Sequence, residues 1–334
     1  MQWKFEQFLE RNNVSHKDWE ASQCVWEELV EIANDHEKNS AILIQSADFF
    51  AKVIQAFPEV HSVRWRVKNP EHLIEKIIRK RAAGAEKYAN INLHNYYAIV
   101  TDLIGIRALH LFKDDCFAIN QLLTSNWQPV EPPVAYTRAG DDAEFLEKVK
   151  AQGLEAKSHP AGYRSVHYVF ESQPLARKVM MEVQVRTIFE EGWSEIDHKV
   201  RYPNFSENPL VSYLLTIFNR MAGSADEMGG FVLGLAAALG ESEAQVSVAI
   251  AEKDRSLAAM ENAVNELEKV KKQDAESREN LAKLKDELEK MKKVPAAPSI
   301  SSDDFARAVS EIAKHALKIR AMQQPTFISS QKIL

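Results

Sequence analysis

Little in this sequence invites cross-linking or tight turning. It has two cysteines, Cys24 and Cys116, too far apart to form a metal-ligand pair. That excludes a disulfide scaffold and implies a reduced, cytoplasmic setting. Only 11 of the 334 residues are glycine, roughly 3% against a typical ~7%, which favours helices over turn-rich sheets. Long hydrophobic runs are missing too. The most apolar stretch, residues 229–240, is about 12 residues long, short of the ~18–20 that span a bilayer. The first 13 residues carry charge throughout and contain no apolar core of a signal peptide, so no membrane association is expected. Excess positive charge is lacking as well: the net charge is −6, which argues against general nucleic-acid binding. No Walker A loop, kinase signature or dinucleotide fingerprint occurs.

What remains is a soluble composition, 45% hydrophobic and 27% charged, too rich in apolar residues for a disordered chain. The length allows about two domains at ~100–200 residues each. Residues 1–57 read as an N-terminal helical segment, with apolar residues at helical spacing around Trp26, Leu29, Val30 and Ile32. Between 58 and 230 the period switches to short β-branched and aromatic runs with intervening helices, and residues 188–220 return to helix with an interruption near 203–209. Residues 231–251 read as a helical connector. Residues 252–293 contain neither Gly nor Pro and carry 11 basic and 11 acidic residues. Leu257, Met260, Val264 and Leu267 follow 3-4-3 spacing, as do Leu281, Leu284, Leu288 and Met291, the pattern of a coiled coil. The alternative is a solvated helix laced with ion pairs. Residues 294–302 form a linker, and 303–334 a last short helix and tail. The helices near the C-terminus are expected to drive homo-oligomerisation or to bind a regulatory protein.

The acidic average hides a local contrast. Residues 64–81 hold seven Lys or Arg against two Glu. Residues 63–68 (VRWRVK) alternate strictly, so a strand there places Arg64, Arg66 and Lys68 on one face and Val63, Trp65 and Val67 on the other. Pro70 ends that strand, and the helix after it brings Lys76 and Arg79 or Lys80 towards the same end. Three like charges on one face repel one another unless something anionic answers them. A polyphosphate cradle is the functional reading; ordinary solubilising charge is the plain one.

Residues 97–112 read as a mostly apolar strand with Asp102 near its start and Arg107 inside it. An acidic side chain at such a strand end suits Mg²⁺, although it also suits a turn cap. Further on, Tyr163, Ser165 and His167 share one strand face, and Glu182, Gln184 and Arg186 share another opposite Met181, Val183 and Val185. A carboxylate there serves as a metal ligand or a base, an amide orients a hydroxyl, and a guanidinium meets phosphate. The competing reading is a polar outer sheet face.

Five motifs occur in order: Arg66-x-Lys68-x-x-x-His72-Leu-x-x-Lys76, Asp102-Leu-x-Gly-x-Arg107, Gly162-Tyr-Arg-Ser-x-His167, Glu182-Val-Gln-Val-Arg-Thr187 and Trp193-x-x-Ile-Asp-His198. Together, over roughly residues 40–230, they resemble the synthetase domain of RelA/SpoT-type alarmone synthetases, the small monofunctional branch. The resemblance implies an α+β fold, a nucleotidyltransferase-like mixed sheet flanked by helices, here followed by a long helical, coiled-coil tail. It implies transfer of the β,γ-pyrophosphate of ATP to the ribose 3′-hydroxyl of GDP or GTP, with Mg²⁺ as cofactor. Carried over residue by residue, Arg64, Arg66, Lys68, Lys76 and Arg79 face the ATP phosphates. Asp102 and Glu182 hold the metal, with Glu182 also near the attacking hydroxyl and Gln184 beside it as a catalytic group. Tyr163 stacks on the acceptor guanine, and His167, Lys157, His159 and Arg186 line the acceptor side. His72 stands where the family usually has Ser. In the segment before Gly162 the family's basic residue and Asn are shifted or missing, with Lys157 or His159 available as substitute. Too few residues precede the cationic strand for the family's metal-dependent hydrolase domain, and Asp35-His36 has the reverse order of such a site, so no hydrolase activity is expected. The competing functions are a toxic relative that pyrophosphorylates the 3′-end of tRNA, and a catalytically silent nucleotide-sensing scaffold.

Overall fold

The computed structural model describes residues 4–138, 141, 143–159, 162–173, 176–201, 208–270 and 275–293. The chain divides into two compact units after Val232. In the first, the opening helices are α1 (Phe5–Arg11), α2 (His16–Ser22) and α3 (Trp26–Gln55). Helix α2 starts where the Ser15 hydroxyl accepts from the Asp18 amide at 3.0 Å, an N-cap that satisfies one orphan donor. Helix α3 buries Leu29, Ile32 and Ala33 at one end and Leu43, Ala47, Phe50 and Ile54 at the other. These 3- and 4-residue steps keep one stripe inward, and the two ends join different apolar clusters.

Strand β1 (Ser62–Val67) leads into α4 (Pro70–Ala82). Asn69 caps α4 by accepting from the Glu71 amide at 2.8 Å, and Pro70 occupies the first turn, where no amide proton is needed. The apolar stretch that reads as one strand over 97–112 is divided. Residues Tyr96–Ile99 form the single-turn helix α5, and strand β2 runs Ile104–His110. The correction has a physical cause: the Tyr96 hydroxyl donates to Asp35 at 2.7 Å, and Val100 and Leu103 are buried in the cluster around α4. That packing needs a turn before the strand can begin. Asp102 therefore sits in the turn preceding β2. Next come α6 (Asp115–Asn126), β3 (Val134–Thr137), α7 (Ala143–Ala151), β4 (Glu155–Ser158), β5 (Ser165–Ser172), β6 (Val179–Thr187) and α8 (Ile188–Arg201). Helix α9 begins at Pro209; residues 202–207, where most of the expected interruption falls, lie outside the described residues.

The six strands form one mixed sheet in the order β1-β2-β6-β5-β3-β4. Pairs β2–β6 and β3–β4 are parallel and the others antiparallel. One face carries Ile104, Ile106, Ala108, Val183, Val185, Val166, Tyr168 and Phe170 into the larger apolar cluster with α3 and α6. Each buried Val, Ile or Phe side chain there contributes about 1.5–3 kcal/mol on burial. The other face is polar, and it carries the residues that matter below. The α+β architecture, a mixed sheet flanked by helices with a long helical extension, is as expected.

Helix α9 runs Pro209–Val270 without a break through the expected connector and into the first heptad block. In the second unit, α10 (Ala275–Lys293) holds the other block. A straight helix would place Lys292 roughly 46 Å from Glu261 at 1.5 Å per residue. The two side chains instead meet at 2.8 Å, so the chain turns back and α10 lies against α9. Leu257, Val264 and Leu288 are buried there, while Met260 and Leu284 are half-exposed. The side chains of Leu267, Leu281 and Met291, and all of residues 294–334, lie outside the described residues. Among the described residues no helix is long and apolar enough to cross a membrane.

Candidate active site

Strand alternation builds the polar face. On β6, Met181, Val183 and Val185 point into the core, which forces Glu182, Gln184 and Arg186 to the other side. Register then sets their neighbours. Gly105 lies beside Glu182, Arg107 beside Gln184, and His167 on the far side of Gln184. On β1, Arg66 is opposite Gly105. A Cβ at position 105 would touch Arg66 Cγ at 3.7 Å and Nε at 3.8 Å, so Arg66 lies across the glycine, one strand from Glu182.

At one end of this face, Asp102 accepts from Lys68 at 2.7 Å and meets Lys76 at 2.8 Å. All three side chains are largely buried. Burial pushes the Asp102 carboxyl up, but the two lysine charges outweigh it and hold the group below its usual range. Lys68 is drawn below the lysine range by burial, with Asp102 opposing. The asymmetry follows from numbers: one carboxylate gains two cations, whereas each cation shares one carboxylate. Tyr88 hydrogen-bonds Lys76, and burial raises its phenol. His36 Nε2 donates to the Lys68 carbonyl at 2.7 Å, and burial keeps this imidazole neutral. Both His36 and Asp35, which holds Arg177 at 2.6 Å, are thus engaged in fastening α3 to its neighbours.

Arg64 points elsewhere. It reaches Glu191 of α8 at 3.0 Å and Glu195 at 3.5 Å. Arg107 also pairs with Glu191, at 2.9 Å, and with Glu195, and Arg186 lies 3.5 Å from Glu191. A single buried carboxylate thus faces three guanidinium groups. Much of the repulsion on the cationic strand is therefore answered within the protein, by Glu191, Glu195 and Asp102. Arg66, exposed, has no carboxylate partner among the described residues. Arg79 is also exposed and pairs with Glu75 one turn back at 2.8 Å, outside the Lys68–Asp102–Lys76 cluster.

At the other end, aromatic rings gather. Tyr163 lies 4.0 Å from His159, 6.0 Å from Tyr136 and 6.2 Å from Trp193, centroid to centroid. The Arg186 guanidinium sits 5.5 Å from the Tyr163 centroid, close enough for a cation–π attraction. The Tyr163 hydroxyl is 3.4 Å from His167 Nε2, and His167 Nδ1 is 3.3 Å from Glu182. Burial raises Glu182, but His167 and the Gln184 amide more than compensate and keep it ionised. Arg186 donates to Gln184 and, at 3.0 Å, to Ser194. Lys157 is not part of this nest; it is half-exposed on edge strand β4 and pairs with Glu155 at 3.0 Å.

This ordered set of residues lies within a recognisable sequence region: residues 65–207 match the region found in RelA / SpoT proteins. The RelA/SpoT region contains every site residue expected from the sequence except Arg64. A curated relative is GTP pyrophosphokinase YwaC of Bacillus subtilis (strain 168), 24% identical over 155 residues. The match covers 45% of this chain and 62% of YwaC, so the chain spans under two thirds of that relative's length. Among solved structures, small alarmone synthetase 1 from Bacillus subtilis is 20% identical with a TM-score of 0.44, covering 61% of this chain and 98% of that one. A GTP pyrophosphokinase family protein from Streptococcus pneumoniae is 21% identical with a TM-score of 0.43, covering 59% and 91%.

Two features of the RelA/SpoT region escape a reading by motif. Tyr136 joins the aromatic nest from β3, where only its alternation with buried Ala135 and Thr137 signals an outward side chain. Glu191 and Glu195 sit on a helix whose direction the sequence does not reveal. Below them Glu190 is fully buried, and burial raises its carboxyl from 4.5 to about 7 against the pull of Arg138. Asp226 is raised by burial to about 6, with Thr187, Arg164 and Arg138 opposing. In the window between pH 4.5 and 7 the unfolded chain releases the Glu190 proton while the folded chain keeps it, so stability falls as pH rises. Glu190→Gln abolishes that term. Urea unfolding at pH 5, 6, 7 and 8 should show the variant gaining on the wild type with rising pH, by roughly 3 kcal/mol at 1.36 kcal/mol per unit. A pH-independent difference would contradict this assignment.

Proposed function

We propose that this chain transfers the β,γ-pyrophosphate of ATP to the 3′-hydroxyl of GDP or GTP, giving AMP and (p)ppGpp. The observation that carries the reading is the position of Glu182. It feels the charge of Asp102 at the cationic end and contacts His167, which leads to Tyr163 at the aromatic end. One ionised carboxylate thus stands between a place suited to phosphates and a place suited to a base. The activity in the name of the Bacillus subtilis relative agrees.

In this reading Arg66, Lys68 and Lys76 bind the ATP phosphates. Asp102 holds the two lysines as a phosphate would, and entering phosphates take over as their counter-ions. Tyr163 stacks on the acceptor base, a sequence-tolerant contact, and His167 and Gln184 orient the ribose. Glu182 takes the proton of the 3′-hydroxyl as its oxygen bonds to the β-phosphorus. The bond from that phosphorus to the α,β-bridging oxygen breaks, and AMP leaves with the oxygen. Such transfer depends on placement and charge neutralisation more than on covalent chemistry.

Mg²⁺ suits the hard oxygen donors of two ionised carboxylates, Asp102 and Glu182, with the charge of Asp102 felt at Glu182. Those two would hold it, and the ion would neutralise charge on the transferred group. The test is incubation with [γ-³²P]ATP and GDP, GTP or tRNA. Label in a nucleotide product supports the reading; label only in tRNA, or none, overturns it.

A further inference from the structure

We propose that Arg138 is a positioning residue for the acceptor side of this site, and that Gly223 of α9 is what allows it to be one. The inference rests on the pyrophosphate-transfer reading and adds to it how the acceptor-binding ring is held. Arg138 follows directly on β3 and its side chain is largely buried. Its Nε donates to the Gly162 carbonyl at 2.7 Å, and its Nη2 donates to Glu190. Its Nη1 lies against Gly223, where an added Cβ would fall on the guanidinium. Two nitrogens are therefore held by acceptors while the third packs against α9, a planar fork that lysine, a point donor, does not reproduce.

The position of these contacts gives them meaning. Gly162 has φ +70°, a left-handed conformation that suits glycine, and its carbonyl is the last acceptor before Tyr163. Arg138 thus fixes the turn from which the Tyr163 ring projects. Helix α9 holds the neighbouring wall too, because the Trp193 indole donates to the Leu215 carbonyl at 3.0 Å. A glycine inside a helix costs about 0.5–1 kcal/mol relative to alanine. At position 223 the close approach of Arg138 supplies a reason for it. Nothing in this set touches Glu182 or Asp102, so its effect falls on acceptor binding alone.

The test uses the full chain and the variants Arg138→Met, Arg138→Lys, Gly223→Ala and the double variant Arg138→Met with Gly223→Ala. Transfer from [γ-³²P]ATP is measured with GDP varied and then with ATP varied, and binding of a non-hydrolysable ATP analogue reports an intact fold. Each single variant should raise KM for GDP by about tenfold, with kcat and KM for ATP within about threefold, the signature of lost ground-state binding. The lysine variant should not rescue. Since Gly223→Ala acts through Arg138, the double variant should be no worse than the poorer single one. The proposal is overturned if KM for GDP is unchanged while the analogue still binds. It is also overturned if both KM values rise equally, or if the double variant multiplies the two effects. A wild type that neither binds nor labels GDP or GTP sinks the functional reading and this inference together. An active wild type whose variants keep their GDP KM sinks only the positioning role.

Discussion

Glu182→Gln should leave a folded protein whose kcat for pyrophosphate transfer is lower by about 10²–10⁴-fold, the range lost with a general base. The amide keeps the shape of the side chain but cannot accept the 3′-hydroxyl proton, and it is a weaker metal ligand. Glutamine still offers His167 a hydrogen-bond acceptor, so binding of GDP should change far less than kcat. Steady-state transfer with both substrates saturating, together with GDP binding, checks this. A variant that retains kcat to within tenfold would remove Glu182 from the chemistry and leave it a purely structural partner of His167.

Asp102→Asn has the second large effect, and it falls on stability as well as rate. The substitution leaves Lys68 and Lys76 largely buried with no counter-charge. Breaking a buried pair from one side costs about 3–5 kcal/mol. Asp102 has a folded pKa below its ordinary 3.8. Its contribution is therefore present above about pH 4 and lost as pH falls through the folded value. The deficit of the variant should be complete at pH 7 and shrink in acid. Metal-free ATP should stabilise the variant more than the wild type, because its phosphates supply the anion that the lysines lack. Transfer activity should nevertheless fall steeply in the presence of Mg²⁺. Thermal unfolding with and without nucleotide reads both effects. Equal stabilisation of the two proteins by ATP would mean that Lys68 and Lys76 do not meet its phosphates.

Much of the site is legible in one dimension because a strand has a period of two. Once Met181, Val183 and Val185 are seen as core, Glu182, Gln184 and Arg186 must share the opposite face. The same argument places Arg64 and Arg66 together. It could not say what each arginine meets. Arg64 and Arg66 are two residues apart on one face, yet Arg64 is held by Glu191 and Glu195 while Arg66 lies across Gly105. That difference depends on where α8 returns over the sheet. The start of β2 differs from the expected one for a related reason: an apolar run looks alike in a buried strand and a buried turn, and packing around Tyr96 decides between them. The two heptad blocks were visible from spacing alone, but spacing does not say whether a block meets its neighbour in the same chain. The contact between Lys292 and Glu261 shows a chain reversal.

By itself, then, the sequence determined the class of fold, the polar and apolar faces of the strands and the order of five motifs. It did so because these follow from local periodicity and residue type. Only the tertiary structure decided that Glu191 answers three arginines, that Tyr136 joins Tyr163, and that Arg138 rests on Gly223. Those residues lie up to 127 positions apart. No local rule brings them together; register, crossover and the packing of α8 and α9 do.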